Sequence, residues 1–343
     1  MLLKLSYLKL RKGSDYFVLL YRNLFKIMKI PFLYNSFSAF LDAHFPFKVQ
    51  KISIDAGMTC PNRDGTKGRG GCTYCNNRTF NPAYCQPEKS VASQLEEGKQ
   101  FFAGKYPDMN YLAYFQAYTN TYADLEKLKQ LYEEALSVDR VVGLVIATRP
   151  DCVSEDILDY LAELNKKTFL LVEYGIESVY DDTLVRINRG HTFEETASAV
   201  SRTARRGILV GGHIIFGLPG EVPEDMADEA ALLSRLPLNT LKIHQLQLIK
   251  GTRMAQDYEQ DSSQFALLDS VEAYVDLIVD FLEQLRPDMV VERFVSQSPA
   301  ELLIAPKWGL KNHEVTALVM KRMQERNTYQ GKYYEEPHQI RIK

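Results

Sequence analysis

The sequence lacks a hydrophobic run long enough to cross a bilayer. Its most apolar N-terminal stretch is broken by Arg22, Lys26 and Lys29, short of the roughly 18–20 uninterrupted apolar residues that a span requires. Integral membrane association is therefore not expected. It also lacks a positive excess: 41 Lys and Arg stand against 44 Asp and Glu, a formal net charge of −3. No global basic field announces nucleic acid, and only a local basic patch remains open. Cysteine is scarce and odd in number, five in 343 residues. With no clear signal peptide, that count argues against a disulfide framework and for a reducing compartment. A cytoplasmic location is expected. Low-complexity tracts are missing too.

What is present is a regular alternation. Strand-length apolar runs at 48–54, 111–116, 141–147, 168–174, 208–216 and 240–247 alternate with amphipathic segments at 90–104, 122–136, 154–164, 193–206 and 223–235. Thr192 with Glu195 makes a capping-box pattern, Ser154 stands at an N-cap, and Pro223 suits a first helical position. Six such units predict a parallel α/β sheet, helices on its outer face, closing toward a barrel whose working residues lie at strand C-terminal ends. Residues 1–33 read as a basic amphipathic extension, with Met28 as an alternative start. Residues 34–250 read as the barrel. Residues 251–343 read as a small C-terminal α+β subdomain, with a helix at 266–285, a strand at 289–294 and a basic helix at 311–326 carrying Lys311, Lys321, Arg322 and Arg326.

Three cysteines, Cys60, Cys72 and Cys75, sit in a glycine-rich loop directly after the first strand run. Three thiolates on a loop able to wrap closely around a bulky object suit a soft metal or an iron–sulfur cluster. A closed four-ligand site needs one more donor, so three leave a position open. Cys85 is the nearest fourth candidate, and Cys152 is distant in sequence. The alternative is a colourless zinc-stabilised binding protein held by Cys60, Cys72, Cys75 and Cys85.

The triad, with aromatic Tyr74 just before the last cysteine, resembles the radical S-adenosylmethionine superfamily. The chain departs from the usual spacing of three residues between the first two cysteines, since it has eleven. That spacing, with Asp-Ala-Gly before and Cys-Pro-Asn-Arg-Asp-Gly within, resembles the YhcC/YtqA-type branch. This branch is similar to the Elongator catalytic subunit and to coproporphyrinogen dehydrogenases. The resemblance runs over about residues 34–335. It implies a partial (β/α)6 barrel, a [4Fe-4S] cluster on Cys60, Cys72 and Cys75, and S-adenosylmethionine on the open iron. It also implies an oxygen-sensitive enzyme that makes a 5′-deoxyadenosyl radical and takes its electron from a flavodoxin- or ferredoxin-like donor.

The resemblance further implies roles at the strand ends. Gln116 and Thr119 follow the second strand, where relatives hold the methionyl amine; both can accept from an ammonium. Arg149, in Ala147-Thr148-Arg149-Pro150-Asp151, can fork onto a carboxylate or phosphate; its alternative is a salt bridge to Asp151. Glu173 and Glu177 suit ribose hydroxyls, and Arg189, in Arg186-Ile187-Asn188-Arg189-Gly190-His191, suits the cofactor carboxylate. Gly217, in Phe216-Gly217-Leu218-Pro219-Gly220-Glu221, would let the backbone approach an adenine, though a tight turn explains it alone. His191, His213 and His244 are read as structural. The expected activity is radical modification of an RNA base, with tRNA as partner, because the resembling branches include tRNA-modifying enzymes and the last helix is basic. The alternative is a small-molecule substrate such as a tetrapyrrole or a cofactor precursor.

Overall fold

The structure is a computed structural model that describes residues 33–79, 81–103, 108–265 and 270–335. The amphipathic helix expected within 1–32 lies outside them. The chain enters through α1 (Phe37–His44), capped by Ser36, and β1 (Val49–Ile54). A single turn, α2 (Pro61–Asp64), starts directly after Cys60. Then come α3 (Val91–Ala103), β2 (Asn110–Phe115), α4 (Leu125–Ser137), β3 (Val141–Thr148), α5 (Glu155–Asn165) and β4 (Phe169–Glu177). The short α6 (Asp181–Arg186) precedes α7 (Phe193–Arg205), β5 (Leu209–Phe216), α8 (Pro223–Ser234) and β6 (Thr240–Gln245). Last are β7 (Leu248–Ile249), α9 (Arg253–Gln260), α10 (Val271–Gln284), β8 (Val290–Arg293), β9 (Leu303–Ala305) and α11 (Asn312–Glu325).

Local chemistry sets these boundaries. Thr192 and Glu195 form the reciprocal capping box at the start of α7, and the Ser154 hydroxyl accepts from Ile157 N at the start of α5. Pro223 occupies the first position of α8, where its missing N–H is not needed.

The main sheet is parallel throughout, in the order β1-β2-β3-β4-β5-β6-β8. It is the expected partial barrel, with one strand more. The 289–294 segment, assigned from sequence to a separate subdomain, pairs with β6 as the seventh strand, and α10 packs on α8. No break falls at residue 250; the described residues belong to one compact unit.

Strand residues alternate between two faces. The outer residues, such as Ile52, Ala113, Leu144, Val172 and Ile243, join the helices in a large apolar core. On the inner face Leu112, Tyr114, Val145, Ala147 and Leu171 form a second cluster, against which Phe37 and Leu41 of α1 and the following Phe45 pack. Helix α1 thus covers the N-terminal side of the barrel interior. Toward the other end the inner residues become polar. This places the chemistry where parallel barrels keep it.

Candidate functional site

The cysteine loop lies across the C-terminal ends of the strands, pinned from the opposite side of the barrel. Asn62 Nδ2 donates to Asn188 O at 2.5 Å. Asn188 Nδ2 donates to Gly71 O at 2.8 Å and to Arg69 O at 3.3 Å. Thr73 N donates to Ile187 O at 3.0 Å. Two sequence motifs far apart in the chain, around Asn62 and Asn188, therefore clamp one another. Asn188 takes φ +54°, a conformation asparagine tolerates better than most residues. Gly71 has φ +78°, and a Cβ there would come within 2.9 Å of Arg63 Nε.

Cys60, Cys72 and Cys75 line one cavity of about 170 Å³ at the top of the barrel interior. Among the described residues no three His, Cys, Asp or Glu side chains converge as a single metal ion requires, with each sulfur about 2.3 Å from one point. Three thiols around a shared space suit an inorganic body bound through soft sulfur, such as an iron–sulfur cluster. Cys85 does not line this cavity, though with Cys72 and Cys75 it borders the space beside it; its thiol donates to Ser53 O at 2.9 Å and packs in the outer core. Burial pushes that thiol up to about 12, so it stays protonated. Burial and the neighbouring Asp151 likewise raise Cys152 to about 12. The triad has its own supporting donors. Arg189 Nη1 reaches Cys72 Sγ at 3.6 Å, and Asn62 Nδ2 reaches it at 3.8 Å. Arg63 Nη2 donates to Cys75 O at 3.0 Å. Such contacts orient ligands and tune a metal centre.

Seven of the eight cofactor-contact candidates line this cavity: Tyr74, Gln116, Thr119, Arg149, Glu173, Glu177 and Arg189. Gly217 is not among the lining residues. It turns the chain after β5 at φ +91°, and its N–H points to Met226 Sδ at 3.2 Å; the tight-turn explanation suffices. The partners of two others differ from the expected ones. The fork of Arg149 is closed on Asp151, Nε to Oδ1 and Nη2 to Oδ2 both at 2.9 Å, and Nη1 donates to Arg189 O at 2.9 Å. This salt bridge was the alternative for Arg149, and it holds the strand end to the 186–191 segment. Glu173 is buried. Its carboxylate accepts from Lys51 Nζ at 2.8 Å, Lys242 Nζ at 2.5 Å and His213 Nε2 at 2.9 Å. Burial alone would raise its pKa, but the two ammonium groups and the imidazole hold it well below the carboxylate range.

Glu177 and Arg189 face each other, Oε1 to Nη2 at 3.3 Å, and Arg189 Nη2 also donates to Gly175 O at 2.6 Å. A Cβ on Gly175 would lie 2.5 Å from that nitrogen, so glycine is what lets the guanidinium cross the strand. The register slips between Gly175 and Glu177, and Glu177 takes φ +72°, which brings its carboxylate to the cavity. Gln116 Nε2 donates to Ser53 Oγ at 2.8 Å.

Sequence reasoning missed much of the lower cavity. Lys51 and Lys242 each contact Glu173 and Glu292, and Tyr114 accepts from Lys242 at 2.9 Å. His213 and His244 face the barrel interior, stacked with ring centroids 5.5 Å apart. Arg293 lines the same space. The available signal was in β6, where Thr240, Lys242 and His244 are polar at every second position, with apolar residues between them.

Beside the cysteine loop opens a wider groove of about 1140 Å³. Arg63, Arg69 and Arg253 line it together with Asp55 and Glu88, and it shares Cys72 and Cys75 with the inner cavity.

The sequence matches the Radical SAM superfamily domain over residues 63–233 and the Radical_SAM C-terminal domain over 238–325. It is 40% identical over 302 residues to the protein YtqA of Bacillus subtilis (strain 168), covering 88% of this chain and 93% of that one. It is 27% identical over 206 residues to a tRNA uridine(34) acetyltransferase of Methanocaldococcus infernus, covering 59% of this chain and 36% of that protein. Among solved structures, the archaeal Methanocaldococcus infernus Elp3 with an N-terminal deletion superimposes with a TM-score of 0.59 at 19% identity. The match covers 83% of this chain and 64% of that one. That likeness is one of fold, and the chain spans only part of those two proteins. Matched over nearly its whole described length, and with three of its five thiols gathered at the strand ends, the chain belongs to the radical S-adenosylmethionine superfamily, in the YhcC/YtqA-type branch.

Proposed function

We propose that this radical S-adenosylmethionine enzyme modifies a base in tRNA, with electrons from a flavodoxin- or ferredoxin-like protein. The cofactors are a [4Fe-4S] cluster and S-adenosylmethionine. When bound, they supply reductive cleavage of the sulfonium and a carbon radical able to take hydrogen from an unactivated position. Cys60, Cys72 and Cys75 would hold the cluster. Arg189 and Glu177, paired at the cavity wall, would meet the zwitterionic end and ribose of the nucleoside, and Gln116 and Thr119 its amine. The chain's own part is to position these groups and to keep water from the reacting centre.

The observation that carries the tRNA reading is the groove beside the cysteine loop. It opens onto the reaction cavity and presents Arg63, Arg69 and Arg253, so a polyanion could lie along it while one base reaches inward. The uridine named in the acetyltransferase relative is the first base to assay. The basic last helix lends no support: Arg322 and Arg326 are paired with Asp276 and Asp280 of α10, and Lys321 with Glu325.

The test begins with anaerobic reconstitution with iron and sulfide, reduction with dithionite and assay of 5′-deoxyadenosine. Product is expected to vanish in Cys60→Ala, Cys72→Ala and Cys75→Ala and to survive in Cys85→Ala. Nucleosides from a deletion strain should then lose or change one modified base. An unchanged profile sinks the tRNA reading and leaves the enzyme with a small-molecule substrate.

A further inference from the structure

Beneath the inner cavity, the charges grouped around Glu173 leave one cation more than the carboxylates among them balance. Lys51 and Lys242 alternate with Glu173 and Glu292, at 2.8 and 2.7 Å for Lys51 and 2.5 and 3.4 Å for Lys242. These four groups cancel. Arg293, at the end of the seventh strand of the sheet, is the third cation, and among the described residues no carboxylate pairs with it. Its Nη2 donates to His244 Nε2 at 3.2 Å, and its Nε is buried with no hydrogen-bond partner. The histidines add no compensating or competing charge. Burial and the neighbouring cations push His213 down and His244 well down, so both stay neutral. A guanidinium in a partly desolvated cavity with free donors is costly to keep unless an oxyanion arrives.

We propose that Arg293 is the substrate-recognition residue of this enzyme, and that it grips a carboxylate carried by the substrate. This inference rests on the reading of the barrel interior as the reaction chamber. The charge count selects a monoanion: a phosphate monoester would bring a second negative charge beside Glu173 and Glu292. A planar carboxylate also matches the guanidinium fork in two parallel hydrogen bonds. His244 Nε2 accepts from Arg293, which leaves its Nδ1 as the protonated nitrogen and holds the fork in place. The substrate class is therefore a molecule or a modified base with a carboxylate near the carbon that loses hydrogen. The enzyme supplying it would be one that attaches a carboxylate-bearing group.

The probes are sodium acetate and sodium dimethyl phosphate, two monoanions of different geometry. Each is titrated onto the full chain against sodium chloride of equal ionic strength while thermal unfolding is followed. Acetate is expected to raise the midpoint, and Arg293→Gln to abolish the shift. Arg293→Lys keeps the charge but loses the fork, and should weaken the acetate response by about tenfold; it also carries the test should the glutamine variant fail to fold. A response to dimethyl phosphate in place of acetate overturns the carboxylate assignment. An undiminished acetate shift in both variants, or none in the unaltered protein, overturns the site. Because S-adenosylmethionine has a carboxylate of its own, its dissociation constant is measured on reconstituted protein. It should be unchanged in Arg293→Gln, and a large loss would mean that Arg293 serves the cofactor instead. Cleavage of S-adenosylmethionine without substrate tests the enzyme reading separately, so the two failures are distinguishable.

Discussion

Glu173 sits among two ammonium groups and an imidazole, so its charge is held by the protein and not by solvent. Removing it leaves both lysines short of a partner on the barrel floor. Glu173→Ala is expected to cost about 3–5 kcal/mol, read from the denaturant midpoint. A second buried carboxyl behaves in the opposite sense. Burial, and then the nearby Glu221, push Glu229 well above the carboxylate range. Its folded pKa exceeds its unfolded one. Its stabilising contribution is therefore full below the unfolded value and is lost as pH rises through the folded one. Glu229→Gln should raise the melting temperature at pH 8 by roughly 2–4 °C and have a smaller effect near pH 4; equal effects at both would refute the argument. At this scale the sequence was legible where chemistry-bearing residues flank motifs. That Cys60, Cys72, Cys75, Glu177 and Arg189 share one cavity was readable. Lys51, Lys242 and Arg293 were not, because a lysine or arginine in a strand run looks like a wet edge until the sheet's curvature turns it inward.

The strands and long helices follow from periodicity and caps, and the expected boundaries lie within a few residues of the observed ones. Short elements escaped: α1, α6, α9 and the β7–β9 pair are too brief to show a period. The charged face of α11 illustrates the other limit. Its arginines are visible in the sequence, but the aspartates of α10 that neutralise them belong to another element, and only packing unites them. The same holds for the clamp on the cysteine loop. Asn188 supplies two of its hydrogen bonds from a turn more than a hundred residues away. Asn188→Ala removes both and places alanine at positive φ. Amide exchange in the 60–75 segment should quicken by about tenfold, corresponding to about 1.4 kcal/mol of local stability. Unchanged protection would show that the remaining contacts hold the loop without it.

As a whole the molecule is nearly neutral, and three of its arginines, Arg63, Arg69 and Arg253, line the groove beside the cysteine loop. Binding of bulk tRNA should therefore be weak at high salt, with log affinity falling linearly against log salt concentration. A flat dependence in a filter-binding or fluorescence titration would count against an RNA substrate. The seventh strand was legible as a strand but not as part of the barrel, since pairing partners so far apart in sequence leave no local signature. One further result follows from helix α1. By packing Phe37 and Leu41 against the inner residues of β2, β3 and β4, it covers the end of these strands away from the cysteine loop. Because Arg293 lines the same cavity as Cys60, Cys72 and Cys75, a substrate resting against it would share that space with the cluster and S-adenosylmethionine that these cysteines would hold. Product-inhibition kinetics would read that crowding as an obligatory order of binding and release, and a random order would mean that the two ligands reach the cavity independently.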